Sequence, residues 1–201
     1  MTALIKSKKR VIDHGEVFTP QHIVDDMLDI VADDARRVES RFLDQACGNG
    51  NFLDTVLKRK LKAIHEMSLD YKAEFELNCI KAISTIYGVE ILADNVMECR
   101  SRLFDTFSSL YSQYFADCVN ECVLDSARFL IEKNIIHGDT LRMVTVEKQT
   151  PIFFCEWEFD EKGHVRRRDF LFFDLVSLAD PKPIREFQPV HFMKLRESYE
   201  I

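Results

Sequence analysis

The sequence predicts an α/β fold built on a parallel sheet. Short β-branched or apolar segments alternate with longer segments of helical periodicity as far as about Asp139. The first predicted strand runs into a glycine turn, and a helical pattern follows at once. Beyond Asp139 the alternation stops, and two strand-like runs flank a turn in the manner of a β-hairpin.

Residues 1–14 are basic and read as a flexible arm. Phe18-Thr19-Pro20 opens a helix, with Thr19 as N-cap and Pro20 at the first helical position. Ile23, Val24, Met27, Leu28 and Val31 carry its apolar stripe to about Arg36. Arg41 to Asp44 is a short strand entering the turn Cys47-Gly48-Asn49-Gly50. Asn51 to about His65 is a helix with Phe52, Leu53, Val56, Leu57, Leu61 and Ile64 inward. A helix at Ala73–Ala82, a strand at Ser84–Ile91, a helix from Ala93 to about Tyr111, a helix at Asp117–Glu132 and a strand at Asn134–Asp139 follow. The hairpin pairs Ile152–Phe159 with Val165–Asp174 around Asp160–His164, and the proline-bearing tail from Ser177 reads as irregular. The expected organisation is an arm (1–14), an α/β domain (15–150), a hairpin extension (151–176) and a tail (177–201).

The chain has 201 residues, 46% of them hydrophobic, which suits one α/β domain with a real core. No apolar run is long enough to span a bilayer, and no signal core follows the basic start, so a cytoplasmic protein without membrane contact is expected. The six cysteines form no CxxC pair and read as reduced, buried apolar residues with no metal. A net charge of −7 argues against a chain that grips nucleic acid unaided. The local basic clusters at Lys6–Arg10 and Arg166–Arg168 run against that balance.

The segment Asp44–Leu53 carries the main functional signal. A strand, glycine turn and helix start set backbone N–H groups beside a ligand, but the third glycine of a nicotinamide-binding turn is missing. Phe42-Leu43-Asp44-Gln45-Ala46-Cys47-Gly48-Asn49-Gly50-Asn51-Phe52-Leu53 resembles the cofactor motif of adenine-specific DNA methyltransferases, usually D-P-A-C-G-S-G, a small residue, then F-L. Gln45 stands for the proline and Asn49 for the serine. Gly15-Glu16-Val17-Phe18-Thr19-Pro20 resembles the N-terminal motif of that family, Tyr87-Gly88-Val89-Glu90-Ile91 its second strand and Ile136-His137-Gly138-Asp139 its third. Singly, Pro20 is only a helix start, Glu90 only a capping acid and Gly138-Asp139 only a turn. Their order along the chain carries the resemblance, which covers about residues 14–140.

The resemblance implies a Rossmann-like adenosylmethionine-dependent methyltransferase fold, truncated, with a C-terminal β-hairpin. It implies S-adenosyl-L-methionine as cofactor, held by Phe18, Thr19, Pro20, Asp44, Ala46, Cys47, Gly48, Gly50, Asn51, Phe52, Glu90, Ile91 and Asp139. Glu90 would accept from the ribose hydroxyls, and Asp139 from the adenine amino group. The catalytic D/N-P-P-Y/F string of such enzymes is absent from this sequence, so no catalytic residue is assigned. Asp180-Pro181-Lys182-Pro183 is the nearest string and reads as a turn. Trp157, Phe153 and Phe159 read as core or as a subunit contact rather than a base-stacking face. The implied protein is the cofactor-binding subunit of a bacterial site-specific DNA adenine-N6 methyltransferase of a restriction–modification or phage-defence system, reaching DNA through a partner subunit. The alternatives are an inactive methyltransferase-like regulatory protein and a small-molecule methyltransferase. The hairpin is expected to be an association surface, for a second copy or another subunit, because Phe170 to Phe173 in one strand would need cover on both faces.

Overall fold

Among the described residues, the centre of the molecule is three parallel strands, β1 (Phe42–Asp44), β2 (Ile86–Glu90) and β3 (Ile135–Asp139), in that spatial order. The computed structural model describes residues 5–67, 71–115 and 118–201. Leu43 pairs with Tyr87, and Val89 with Ile136. All five residues of β2 are buried, as a central strand requires. A two-residue strand, β4 (Val144–Thr145), adds antiparallel to β3 and was not expected from the sequence. The outer edge of β1 has no strand partner among the described residues.

Helices α1 (Lys8–His14), α2 (Gln21–Ile30) and α3 (Ala32–Arg36) precede the sheet. Helices α4 (Asn51–Glu66) and α5 (Lys72–Ser84) connect β1 to β2, and α6 (Ala93–Phe115) and α7 (Glu121–Asn134) connect β2 to β3. The two faces of β2 are covered differently. On the face of Gly88, a Cβ would lie 2.9 Å from Leu53 Cδ1 of α4, so the glycine lets helix and strand close up. On the opposite face, the Tyr87 hydroxyl donates to the Cys155 carbonyl at 2.8 Å, and its ring meets Phe154 edge-on.

Cys155 and Phe154 belong to the hairpin of β5 (Phe153–Phe159) and β6 (His164–Leu171). Asp160 Oδ1 closes its turn by accepting from the N–H groups of Lys162 and His164. The hairpin thus packs on its own chain. Trp157 meets Phe129 of α7 edge-on and donates to Asn134 Oδ1 at 3.0 Å, which places it in the core. The expectation that β6 runs to Asp174 is corrected. It stops at Leu171, and α8 (Phe172–Ser177) begins. A helical turn separates neighbouring side chains by about 100°, so Phe172 is buried against Phe154 while Phe173 is exposed. The four-residue apolar run therefore does not demand cover on two faces of a strand.

The tail is not irregular either. Strands β7 (Arg185–Glu186) and β8 (Val190–His191) pair with β6, and a 3-10 helix at Phe192–Glu197 packs on α7. Asp169 of β6 anchors this region. It is fully buried, accepts two hydrogen bonds from the Arg167 guanidinium at 2.7 and 2.8 Å, and has Arg185 at 2.9 Å.

The described part of the basic arm is a helix rather than a flexible tail. Ser7 Oγ caps α1 by accepting from Arg10 N–H, and Gly15 ends it at φ +64°. Lys6 reaches Asp94 and Glu98, and Arg10 reaches Asp94 and Glu16. Residues 1–4 of the expected arm lie outside the described residues, as does Asp117, the expected start of α7. The long first helix is split: α2 starts at Gln21 with Pro20 as its N-cap residue, and Val31 at φ −120° separates it from α3. All six cysteines are free thiols; four are buried, while Cys118 and Cys122 are exposed, against expectation. No helix among the described residues is long and apolar enough to cross a membrane.

Lys60 ties the start of the sheet to its helical layer. It is fully buried, and its ammonium donates to the carbonyls of Arg37, Val38 and Ser40 and to Thr85 Oγ1. Burial lowers its pKa to about 8, against the pull of Glu39 and Asp34. Lys60→Met removes the donor from four acceptors and should lower the unfolding free energy by about 2–4 kcal/mol in urea titrations. The sign of the pH effect is also fixed. Between about pH 8 and the ordinary lysine value of 10.5, the unfolded chain holds the proton that the folded chain has released. Wild-type stability relative to Lys60→Met should therefore rise with pH across that window.

Candidate ligand-binding site

A cavity of about 240 Å³ opens at the carboxyl ends of β1 and β2, where open parallel sheets bind ligands. Three segments enclose it: Gly15–Thr19 before α2, the turn from Asp44 into α4, and Glu90–Leu92 with Asn95 of α6. Of the residues expected at the site, Phe18, Thr19, Asp44, Ala46, Cys47, Gly48, Asn51, Phe52, Glu90 and Ile91 line this one cavity.

Pro20, Gly50 and Asp139 are not among the lining residues. Pro20 is spent on starting α2. Gly50 is buried against Cys99. Asp139 Oδ1 accepts from Arg142 N–H at 3.1 Å and shapes the turn after β3. Sequence reasoning missed Gly15, Glu16, Val17, Asn49, Leu92 and Asn95 as lining residues. The first four lay inside the two quoted motifs, so a signal existed. Leu92 and Asn95 carry none; they are brought in because α6 begins three residues after β2 ends.

Each segment is fixed by a short-range interaction. Glu90 Oε2 accepts from Gly48 N–H and Oε1 from Leu92 N–H, both at 2.9 Å. One carboxylate thus joins the turn after β1 to the turn after β2. Gly48 adopts φ +51°, and a Cβ on it would lie 3.2 Å from Phe18 Cε1. The Phe18 ring therefore sits directly on the glycine turn. Asn51 Nδ2 donates to the Thr19 carbonyl at 3.0 Å and holds the same segment from the other side. Thr140 Oγ1 donates to the Gln45 carbonyl at 2.6 Å, tying the end of β3 to the end of β1.

The cavity is acidic. Glu16, Asp44 and Glu90 line it, and no lysine or arginine does. Burial raises the Asp44 pKa, against a hydrogen bond from Ala46 N–H, and the charge of Glu90 adds to the rise. The Gly48 N–H is committed to Glu90, so the glycine turn is not an anion cradle. This arrangement disfavours phosphate-bearing nucleotides and suits a ligand with hydroxyl donors and positive charge. Among the described residues, no group of three His, Cys, Asp or Glu side chains is placed to hold a metal ion.

The chain matches no family model, no curated protein and no solved structure.

Gly50 carries the tightest steric demand of the turn. At φ +82°, an added Cβ would fall 2.5 Å from Cys99 Sγ and 3.1 Å from Cys99 Cα. Gly50→Ala should cost about 2–4 kcal/mol through backbone strain and overpacking, read as a lower urea midpoint. A variant as stable as wild type would show that the turn adapts freely.

Proposed function

We propose that this chain is the adenosylmethionine-binding part of an adenine-specific DNA methyltransferase, with a Rossmann-like methyltransferase fold, and that it works with a partner or further segment that presents the base. One observation carries the reading. Three of the four segments whose sequences resemble that family's motifs, far apart in the chain, converge on a single acidic cavity at the ends of parallel strands, while the fourth, Ile136–Asp139, does not line it.

The residues present fit the cofactor by charge. Its sulfonium and ammonium are cationic, its ribose offers two hydroxyl donors, and its carboxylate is one anionic group. Asp44 and Glu90 are in no ion pair among the described residues, and each carboxylate oxygen has lone pairs beyond the one that its backbone N–H occupies. Glu90 is suited to the ribose hydroxyls, and Phe18, Phe52 and Ile91 to the apolar faces of the ligand. Asp139 has no assigned contact in this reading, because it does not line the cavity. When bound, the cofactor supplies a methyl group activated by the positive sulfur. The chain's own residues bind and orient it; they contain no identified group that would hold an adenine amino nitrogen.

Several observations support a partner. Trp157 is buried and hydrogen-bonded, so it offers no face for a flipped base. Asp180-Pro181-Lys182-Pro183 lies outside the cavity, with Pro181 beside an apolar groove at β1. The basic clusters are consumed in part: Arg167 pairs with Asp169, Arg168 with Glu156, and Lys6 and Arg10 with acids of α6, while Lys8, Lys9 and Arg166 are exposed and make no ion pair among the described residues. Three cations are left to neutralise phosphates, against a net charge of −7.

Calorimetry should show S-adenosylmethionine binding to the purified chain, and tritium-methyl transfer to DNA by the chain alone should be at background. No heat of binding would remove the cofactor reading. Robust sequence-specific methylation by the chain alone would remove the need for a partner. Binding without turnover even after a protein that co-purifies with the chain is added would favour the second reading, a ligand-binding regulatory protein without catalysis.

A further inference from the structure

Helix α2 presents more apolar surface than the protein covers. Of the stripe Ile23, Val24, Met27, Leu28 and Val31, only Val24 and Leu28 are buried, where α2 packs on α4. Ile23, Met27 and Ile30 are 40%, 47% and 85% exposed. Their spacing sets them in a row on one helix face, which the exposed Val31 extends at the C-cap. A single exposed apolar side chain is ordinary, but a row of them marks an interaction surface. The same segment is acidic. From Gln21 to Ala35 it holds five aspartates and no lysine or arginine. Asp25 and Asp29 share Arg59 of α4, and Asp34 holds Arg37. Asp26 and Asp33 are exposed and in no ion pair among the described residues. Asp26 stands three residues after Ile23 and four before Ile30, so it borders the exposed row.

We propose that the exposed face of α2 docks a basic amphipathic helix of a partner protein, its apolar residues on Ile23, Met27 and Ile30 and its lysines or arginines on Asp26 and Asp33. A helix is the element that matches a straight row at helical spacing, because its own ridges lie into the grooves between the side chains. Positive charge is what the rim of the row lacks. A second copy of this chain is a poor occupant. An isologous pairing of α2 with itself sets the aspartates of one copy against those of the other. The inference rests on the partner in the proposed function and names that partner's chemistry. A subunit that must neutralise phosphates is rich in lysine and arginine, so the charge that suits DNA also suits α2. The helix starts at Gln21, directly after the Gly15–Thr19 wall of the cavity, and has ten residues. A segment docked along it therefore lies within about 15 Å of that wall.

The test is fluorescence anisotropy on the full chain with two labelled probes of about 18 residues, long enough to hold a helix. One is a leucine–lysine peptide patterned as an amphipathic helix, and the other has glutamate in place of lysine. Wild type should bind the lysine peptide at least about 10-fold more tightly than the glutamate peptide. Ile23→Ser/Met27→Ser/Ile30→Ser, changed only at exposed positions, should weaken the lysine peptide by about 10-fold or more, and so should Asp26→Asn/Asp33→Asn. Ile12→Ser, at an exposed position of α1, should leave its affinity unchanged. Ile30→Lys alone, checked by circular dichroism, serves in place of the triple variant where that does not fold. Equal wild-type affinity for the two peptides would overturn the proposal. So would serine variants that bind the lysine peptide as wild type does, because the attraction would then belong to the acidic exterior at large. A dimer in sedimentation equilibrium that Ile30→Lys dissolves would overturn it by seating a second copy on α2. The assay contains neither cofactor nor DNA, so its failure is separate from failure of the adenosylmethionine reading, which calorimetry decides.

Discussion

The candidate site depends on one carboxylate accepting two backbone N–H groups. Glu90 stands at the end of the fully buried central strand, so its position is set by the sheet and not by a loop. Its two oxygens take the N–H groups of Gly48 and Leu92. These N–H groups stand at the junctions where each strand hands over to a helix. Buried without Glu90, they would each cost about 1–3 kcal/mol. The strands fix the acid, the acid fixes the two turns, and the Gly48 turn provides the flat surface on which Phe18 rests. The N-terminal segment thus reaches the cavity by packing on a backbone that a side chain two strands' connections away has positioned.

The sheet that holds Glu90 is closed by unlike covers. α4 approaches through Gly88, and the hairpin approaches through Tyr87 and Cys155. The hairpin needs its own anchor, because a two-stranded ribbon is marginal alone. It has one in the buried Arg167–Asp169 pair and in α7, through Trp157 and Asn134. Polar atoms buried in this way leave few alternative registers for β5 and β6. The outer edge of β1, which has no strand partner among the described residues, lies beside an apolar groove lined by Leu43, Phe154 and Phe170.

The elements legible in the sequence were those whose signal is local. The strand–turn–helix at Phe42–Glu66 carries its glycines, its apolar stripe and its helix start within one stretch, and it falls where expected. β2, β3 and the hairpin turn are of the same kind. What was not legible depends on partners distant in the chain. A basic arm looks flexible until Asp94 and Glu98 are known to face it. The tail looks irregular until β6 offers it an edge. The end of β6 is invisible because Phe172 and Phe173 suit a strand as well as a helix, and only burial against Phe154 separates them. In the site, the acids at strand ends could be named, but their fates could not: Glu90 lines the cavity, whereas Asp139 is used by its own turn.

Charge gives the arrangement its direction. The chain carries a net −7, and much of its positive charge is used internally, by α1 on α6, by Arg167 and Arg185 on Asp169, and by Arg196 on Asp125 and Glu132. Such pairing leaves an acidic exterior and an acidic cavity, in which Glu16 is held by Arg10 while Asp44 and Glu90 are in no ion pair among the described residues. Asp44 and Glu90 keep acceptor capacity beyond the backbone N–H groups that they hold. A small ligand with positive charge and hydroxyl donors suits that capacity, whereas a polyanion meets repulsion inside the cavity. Recognition of the small ligand and attraction of a nucleic acid are therefore opposed electrostatic tasks. In the proposed function, the first belongs to this chain and the second to its partner or further segment.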